Sequence, residues 1–109
     1  MVTIATFYRF TEFTDYESWK QPLVNSMKAQ NVYGTILLAP EGINATISGS
    51  KDGVAFVLNQ LQADDRFAAL DVKYANDDSS PFDKQKVKLK TQRLVFVLQD
   101  KMVTKKLKI

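Results

Sequence analysis

The spacing of apolar and polar positions changes several times along the chain, and each change marks an element. Thr3-Ile4-Ala5-Thr6-Phe7-Tyr8-Arg9-Phe10 mixes β-branched and aromatic residues, which predicts a strand. Thr11–Asp15 is a polar break in which Thr14 or Asp15 can cap a helix. Tyr16, Trp19, Leu23 and Met27 then recur at helical spacing, a stripe suited to packing on a sheet. Pro22 interrupts it. Proline lacks an N–H and fits best in a first helical turn. The expected arrangement is a short turn over Asp15–Lys20 and a main helix from about Pro22 to Gln30. Asn31 is placed to end it in the left-handed conformation. Val32–Ala39 is a nearly continuous apolar run, expected to be a strand buried on both faces. Pro40-Glu41-Gly42 is a turn. Ile43–Gly49 alternates apolar with polar and predicts a half-buried strand antiparallel to its predecessor.

Ser50 is an expected N-cap, and Val54, Val57, Leu58 and Leu61 mark the buried side of a second helix running to about Ala63. Asp71–Asn76 is a further strand candidate, and Asn76–Pro81 a polar loop. Lys86-Val87-Lys88-Leu89-Lys90 alternates strictly. Strand side chains point to opposite faces in turn, so three lysines share one face and Val87 and Leu89 the other. Leu94–Leu98 is another apolar strand candidate, and residues 99–109 read as a basic tail following a domain of residues 1–98. The order β-α-β-β-α-β predicts an α+β, ferredoxin-like sandwich. Two helices would cover one face of an antiparallel sheet, with extra C-terminal strands.

Composition narrows the chemistry. The 109 residues fit one domain. There is no cysteine or histidine, which excludes disulfides, thiol catalysis, a Ser-His-Asp triad and the usual zinc sites. No cofactor, metal or catalytic residue is expected. No apolar run is long enough for a bilayer, and the N-terminus lacks the basic region of a secretory signal. A cytoplasmic protein without a membrane partner is expected.

The net charge of +3 hides an asymmetry. Residues 1–64 carry 4 Lys/Arg against 6 Asp/Glu, whereas residues 65–109 carry 11 against 6. Such imbalance points to an anionic partner, with nucleic acid the first candidate. Lys84, Lys86, Lys88 and Lys90 would lie about 6.6 Å apart along one strand, close to phosphate spacing. Lys73 and Arg93 can extend that surface. A lysine row of this kind holds backbone without reading sequence. Tyr8, Phe10, Tyr33 and Tyr74 lie on strands and are mostly expected in the core, and no RNP-type motif is present. Glu41 and Asn44 flank the Gly42 turn, where they can reach solvent or a partner. The pairs Asp64/Asp65 and Asp77/Asp78 sit in polar loops, and the glycines form no phosphate-cradling motif. An acylphosphatase-like hydrolase would need an Arg-containing glycine loop after the first strand. Thr11–Asp15 has no glycine and carries acids instead.

Gly34 to Ser50, reading GTILLAPEGINATISGS, resembles the signature of the rhodanese-domain tRNA uridine 5-hydroxylases. Phe7-Tyr8-Arg9-Phe10, Pro22-Leu23, Asp65-Arg66-Phe67, Pro81-Phe82 and Lys86–Lys90 resemble the family in the same order. The resemblance covers residues 3 to about 93. It implies an N-terminal ferredoxin-like domain, followed in larger proteins by a rhodanese-like domain with the active-site cysteine. It further implies formation of 5-hydroxyuridine at the wobble position of tRNA, using oxygen. Without cysteine, this chain has no counterpart of the catalytic residue. The charge asymmetry and the resemblance together lead to the expectation of a non-catalytic domain that binds tRNA and partners a rhodanese-like domain. The alternative expectation is a structural domain that packs on a rhodanese domain or on a second copy of itself, with Leu94–Leu98 as the apolar contact.

Overall fold

The computed structural model describes residues 1–90. Arg93, the expected strand Leu94–Leu98 and the tail 99–109 lie outside the described residues. The elements are β1 (Val2–Phe10), α1 (Lys20–Gln30), β2 (Tyr33–Ala39), β3 (Gly42–Gly49), α2 (Lys51–Gln62), β4 (Asp71–Asp77) and β5 (Gln85–Leu89). Short 3-10 turns at Tyr16–Trp19 and Asp65–Phe67 precede α1 and β4. One sheet has the strand order β4-β1-β3-β2-β5. The pairs β1–β3, β1–β4 and β2–β3 are antiparallel, as a ferredoxin-like sandwich requires. β5 adds to the β2 edge in parallel, which makes the sheet mixed.

Each helix begins and ends for a local reason. The Ser50 side chain accepts the Gly53 amide at 2.9 Å and opens α2. Val54, Val57, Leu58 and Leu61 are buried as their spacing predicts. Asn31 closes α1 with φ 53°. α1 starts at Lys20, two residues before the expected Pro22, and proline is still tolerated there because the first turn leaves its N–H unused. Asp15 makes no capping bond, contrary to expectation.

Burial departs from the sequence expectation in β2 and β3. β2 alternates buried and half-buried positions, whereas β3 is buried along most of its length. The cause is sheet order. β3 lies at the centre, and the connection from β4 to β5 crosses its open side. Ser80 in that connection meets the Ser48 hydroxyl at 2.6 Å and leaves Ser48 fully buried. The break after β1 is not wholly polar either. Phe13 is fully buried, with its ring 5.0 Å from Phe67 and 6.0 Å from Trp19.

The core lies between the helices and one face of the sheet. Ala5, Phe7, Ile36, Leu38, Ile43, Ile47 and Val87 supply the sheet side, and Leu23, Met27, Val54, Val57 and Leu61 the helix side. No helix among the described residues is long and apolar enough to cross a membrane.

Candidate nucleic-acid interface

Strand register decides which residues share the face opposite the helices. With Ala5, Phe7, Ile36, Ala45 and Val87 in the core, their neighbours along each strand point the other way. Thr6 pairs with Thr46 and Lys73, Thr46 pairs with Thr35, and Thr35 pairs with Lys86. One row therefore crosses all five strands as Lys73, Thr6, Thr46, Thr35 and Lys86. It has a cation at each end and three half-buried hydroxyls between. The Thr6 and Thr46 hydroxyls are 3.4 Å apart. The next row runs Asp71, Tyr8, Asn44, Leu37 and Lys88.

The lysine row is built as the alternation predicts. Val87 is buried toward α1, and Lys84, Lys86 and Lys88 are exposed on the other side. Gln85 fixes the strand. Its side-chain nitrogen donates to the carbonyls of Met27 and Val32, each at 3.1 Å. Ladder bonds continue past both ends of β5, from Gly34 N–H to the Lys84 carbonyl and from Lys90 N–H to the Leu38 carbonyl, each 2.8 Å. The structure thus brings Lys73, Lys84, Lys86, Lys88 and Lys90 onto one face. Arg93 lies outside the described residues.

Asn44 and Glu41 part company. Asn44 stands mid-strand in β3 on this same face, only 2% exposed, so it does not reach solvent as its place near the turn had implied. Its side-chain nitrogen is buried without a hydrogen-bond partner among the described residues. A cavity of about 220 Å³ opens beside it, lined by Thr35, Leu37, Thr46, Ala45 and Phe82. Glu41 sits at the hairpin tip, beside Phe10, Thr11 and Glu12, where Thr11 N–H bonds its carbonyl at 3.0 Å. Two acids in that corner disfavour a phosphate there.

Several contributors to this face were not singled out by sequence reasoning. Tyr8 and Phe10 were expected mostly in the core, yet they are 36% and 41% exposed, with ring centroids 5.7 Å apart. Tyr74 is also exposed, but it pairs with Ala5 and therefore lies on the helix side of the sheet, at the β4 edge. The signal was available in strand parity. Residues 6, 8 and 10 alternate with buried Ala5 and Phe7. The three threonines and Phe82 were missed because each becomes meaningful only through cross-strand register.

The sequence profile of the UPF0176 acylphosphatase like domain matches residues 2–92. The tRNA uridine(34) hydroxylase of Legionella pneumophila (strain Lens) is 37% identical over 98 residues, covering 90% of this chain and 39% of the relative. The tRNA uridine(34) hydroxylase of a Picosynechococcus species is 44% identical over 89 residues, covering 82% of this chain and 30% of the relative. This chain therefore spans well under half the length of these relatives. Among solved structures, a bacterial light-regulated adenylyl cyclase superposes with a TM-score of 0.68 at 14% identity, over 98% of this chain and 35% of that one. At that identity the likeness concerns the fold.

Proposed function

The chain belongs to the family of the UPF0176 acylphosphatase like domain, and from that premise we propose that it is the tRNA-holding, non-catalytic domain of a tRNA uridine(34) hydroxylase. The observation that carries this reading is the collection of Lys73, Lys84, Lys86, Lys88 and Lys90 on one sheet face. The lysines hold phosphates of the anticodon arm and present its loop to a rhodanese-like catalytic domain. The chemistry belongs to that second domain, because this chain has no cysteine to serve as the catalytic residue. Lysine is suited to the task. It contacts phosphate as a point charge and accommodates variation in sequence.

The test is a titration of the 109-residue chain with bulk tRNA at two salt concentrations. A variant with Lys86, Lys88 and Lys90 changed to Gln runs beside it. Binding that weakens with salt and is lost in the variant supports the role. Equal affinity of both proteins, or no affinity of either, sinks it and leaves a packing role on the catalytic domain.

A further inference from the structure

Phosphate contacts explain the edges of this sheet face but not its centre. Between the Lys73 edge and the Lys86–Lys88 edge lie an exposed tyrosine, three threonine hydroxyls and a buried amide. A surface serving charge alone has no need of these groups.

Asn44 is the most telling of them. A buried amide nitrogen left without an acceptor loses its hydration and gains nothing in return, and such groups are few in folded proteins. Leucine or valine would fill a central strand position without that cost. The amide instead lines the cavity beneath Phe82, among Thr35, Thr46 and Leu37. The cavity therefore has one apolar aromatic side and a polar floor that combines donors and acceptors. Tyr8 is the direct cross-strand neighbour of Asn44, on the same face. Side chains in such a pair stand about 5 Å apart.

Resting on the tRNA-holding reading above, we propose that this face takes an unpaired nucleobase of single-stranded RNA. The base enters edge-on to Asn44 beside Phe82, and a neighbouring base stacks on Tyr8. An amide carries a donor and an acceptor side by side, which matches the Watson–Crick edge of a base. That edge is free only when the base is unpaired, so the site selects loop over duplex. Exposed aromatics on a sheet face flanked by cations are how single strands are commonly bound. The lysine edges then hold the phosphates on either side of the inserted base. The occupant is RNA and not an apolar protein surface, because the amide and three hydroxyls would be left unpaired against the latter.

Fluorescence anisotropy with labelled RNA heptamers tests this directly. One heptamer is A3-U-A3, and the second replaces the central nucleotide by an abasic one. Both carry the same phosphates. Two variants accompany the wild-type chain: Asn44→Leu, and Tyr8→Thr at an exposed strand position. The wild type is expected to bind the complete heptamer at least about fivefold tighter than the abasic one. Asn44→Leu should erase that difference, while Tyr8→Thr should weaken both heptamers by about fivefold or more. Equal binding of the two heptamers by the wild type overturns the base site. So does an unchanged ratio in a folded Asn44→Leu protein. Should Asn44→Leu not fold, unaltered affinity of Tyr8→Thr overturns the proposal by itself. The phosphate role fails separately, when the triple Lys→Gln variant keeps its tRNA affinity.

Discussion

Arg66 and Asp15 join the two 3-10 turns of the fold across 51 positions of sequence. The guanidinium donates two hydrogen bonds to the Asp15 carboxylate, the longer at 3.2 Å. It also contacts Asp64 at 2.8 Å and lies 4.9 Å from the centre of the Phe13 ring. One arginine thus ties the segment after β1 to the segment before β4. It does so on aromatic surface, where the planar cation gains from the ring face. The cluster sits apart from the lysine face, so stability and binding can be perturbed independently.

This linkage sets an acid limit on stability. The Arg66 hydrogen bonds lower the Asp15 carboxyl from 3.8 to about 2. Asp64 is shifted in the same direction, again chiefly by Arg66. The folded state therefore holds fewer protons than the unfolded chain through this range. The associated stability is complete above the ordinary value near 3.8 and is lost as pH falls from about 4 to about 2. Thermal melts of the wild type should decline over that window. Asp15→Asn should melt lower than the wild type near neutrality and lose less between pH 4 and 2. An Asn variant whose melting temperature falls as steeply as the wild type's would refute the linkage.

Much of this fold was legible from local patterns. The Ser50 cap, the Val54-Val57-Leu58-Leu61 stripe, the Asn31 terminus and the alternation of Lys86–Leu89 each follow from short-range rules, and the structure agrees with them. The lysine face was legible for the same reason, because strand parity is local. What the sequence concealed depends on sheet order. β3 looks half-exposed from its alternation, but it becomes central and is crossed by the 78–84 connection. Tyr8 looks like core, but its face has no helix over it. Asn44 looks like a turn residue, but register places it next to Tyr8 in mid-sheet. Long-range pairing decides all three, and no window of sequence contains it.

Gly34 should be intolerant of any side chain. It is the second residue of β2 and has φ 128°, a conformation that residues with a Cβ rarely adopt. An added Cβ would stand 2.1 Å from the Thr46 carbonyl oxygen of the neighbouring strand. The backbone strain alone is worth about 1–3 kcal/mol, and relieving the clash would part β2 from β3. Gly34→Ala should lower the urea midpoint of the chain substantially, or abolish folding. A midpoint within error of the wild type would show that the strand shifts at no cost.

Ser50→Ala should produce a smaller, cleanly attributable loss. The hydroxyl accepts the Gly53 amide, and removing it leaves an orphan donor at the start of α2. The expected cost is about 1 kcal/mol, read from urea denaturation with an unchanged slope. Affinity for tRNA should stay the same, since α2 packs on the opposite side of the sheet. A loss of affinity in this variant would couple the helix layer to the binding face.

The two ends of the threonine row offer the sharpest test of how RNA lies on the sheet. Lys73 and Lys86 share a face but stand on opposite edges, four strand spacings and about 19 Å apart. A strand that runs only along β5 touches the Lys84–Lys90 row and never meets Lys73. A strand that crosses the sheet touches both edges and passes over Tyr8 and Asn44. The dependence of affinity on salt distinguishes these paths, because each phosphate contact contributes about −0.7 to the logarithmic slope for single strands. If the RNA crosses, Lys73→Gln and Lys86→Gln should each reduce the slope by about that amount, and together by about twice it. Lys28→Gln, on the exposed side of α1, should leave the slope unchanged. A slope that responds to Lys86→Gln but not to Lys73→Gln would place the strand along β5 and away from the centre of the face. In that case the aromatic and amide groups would lie off its path.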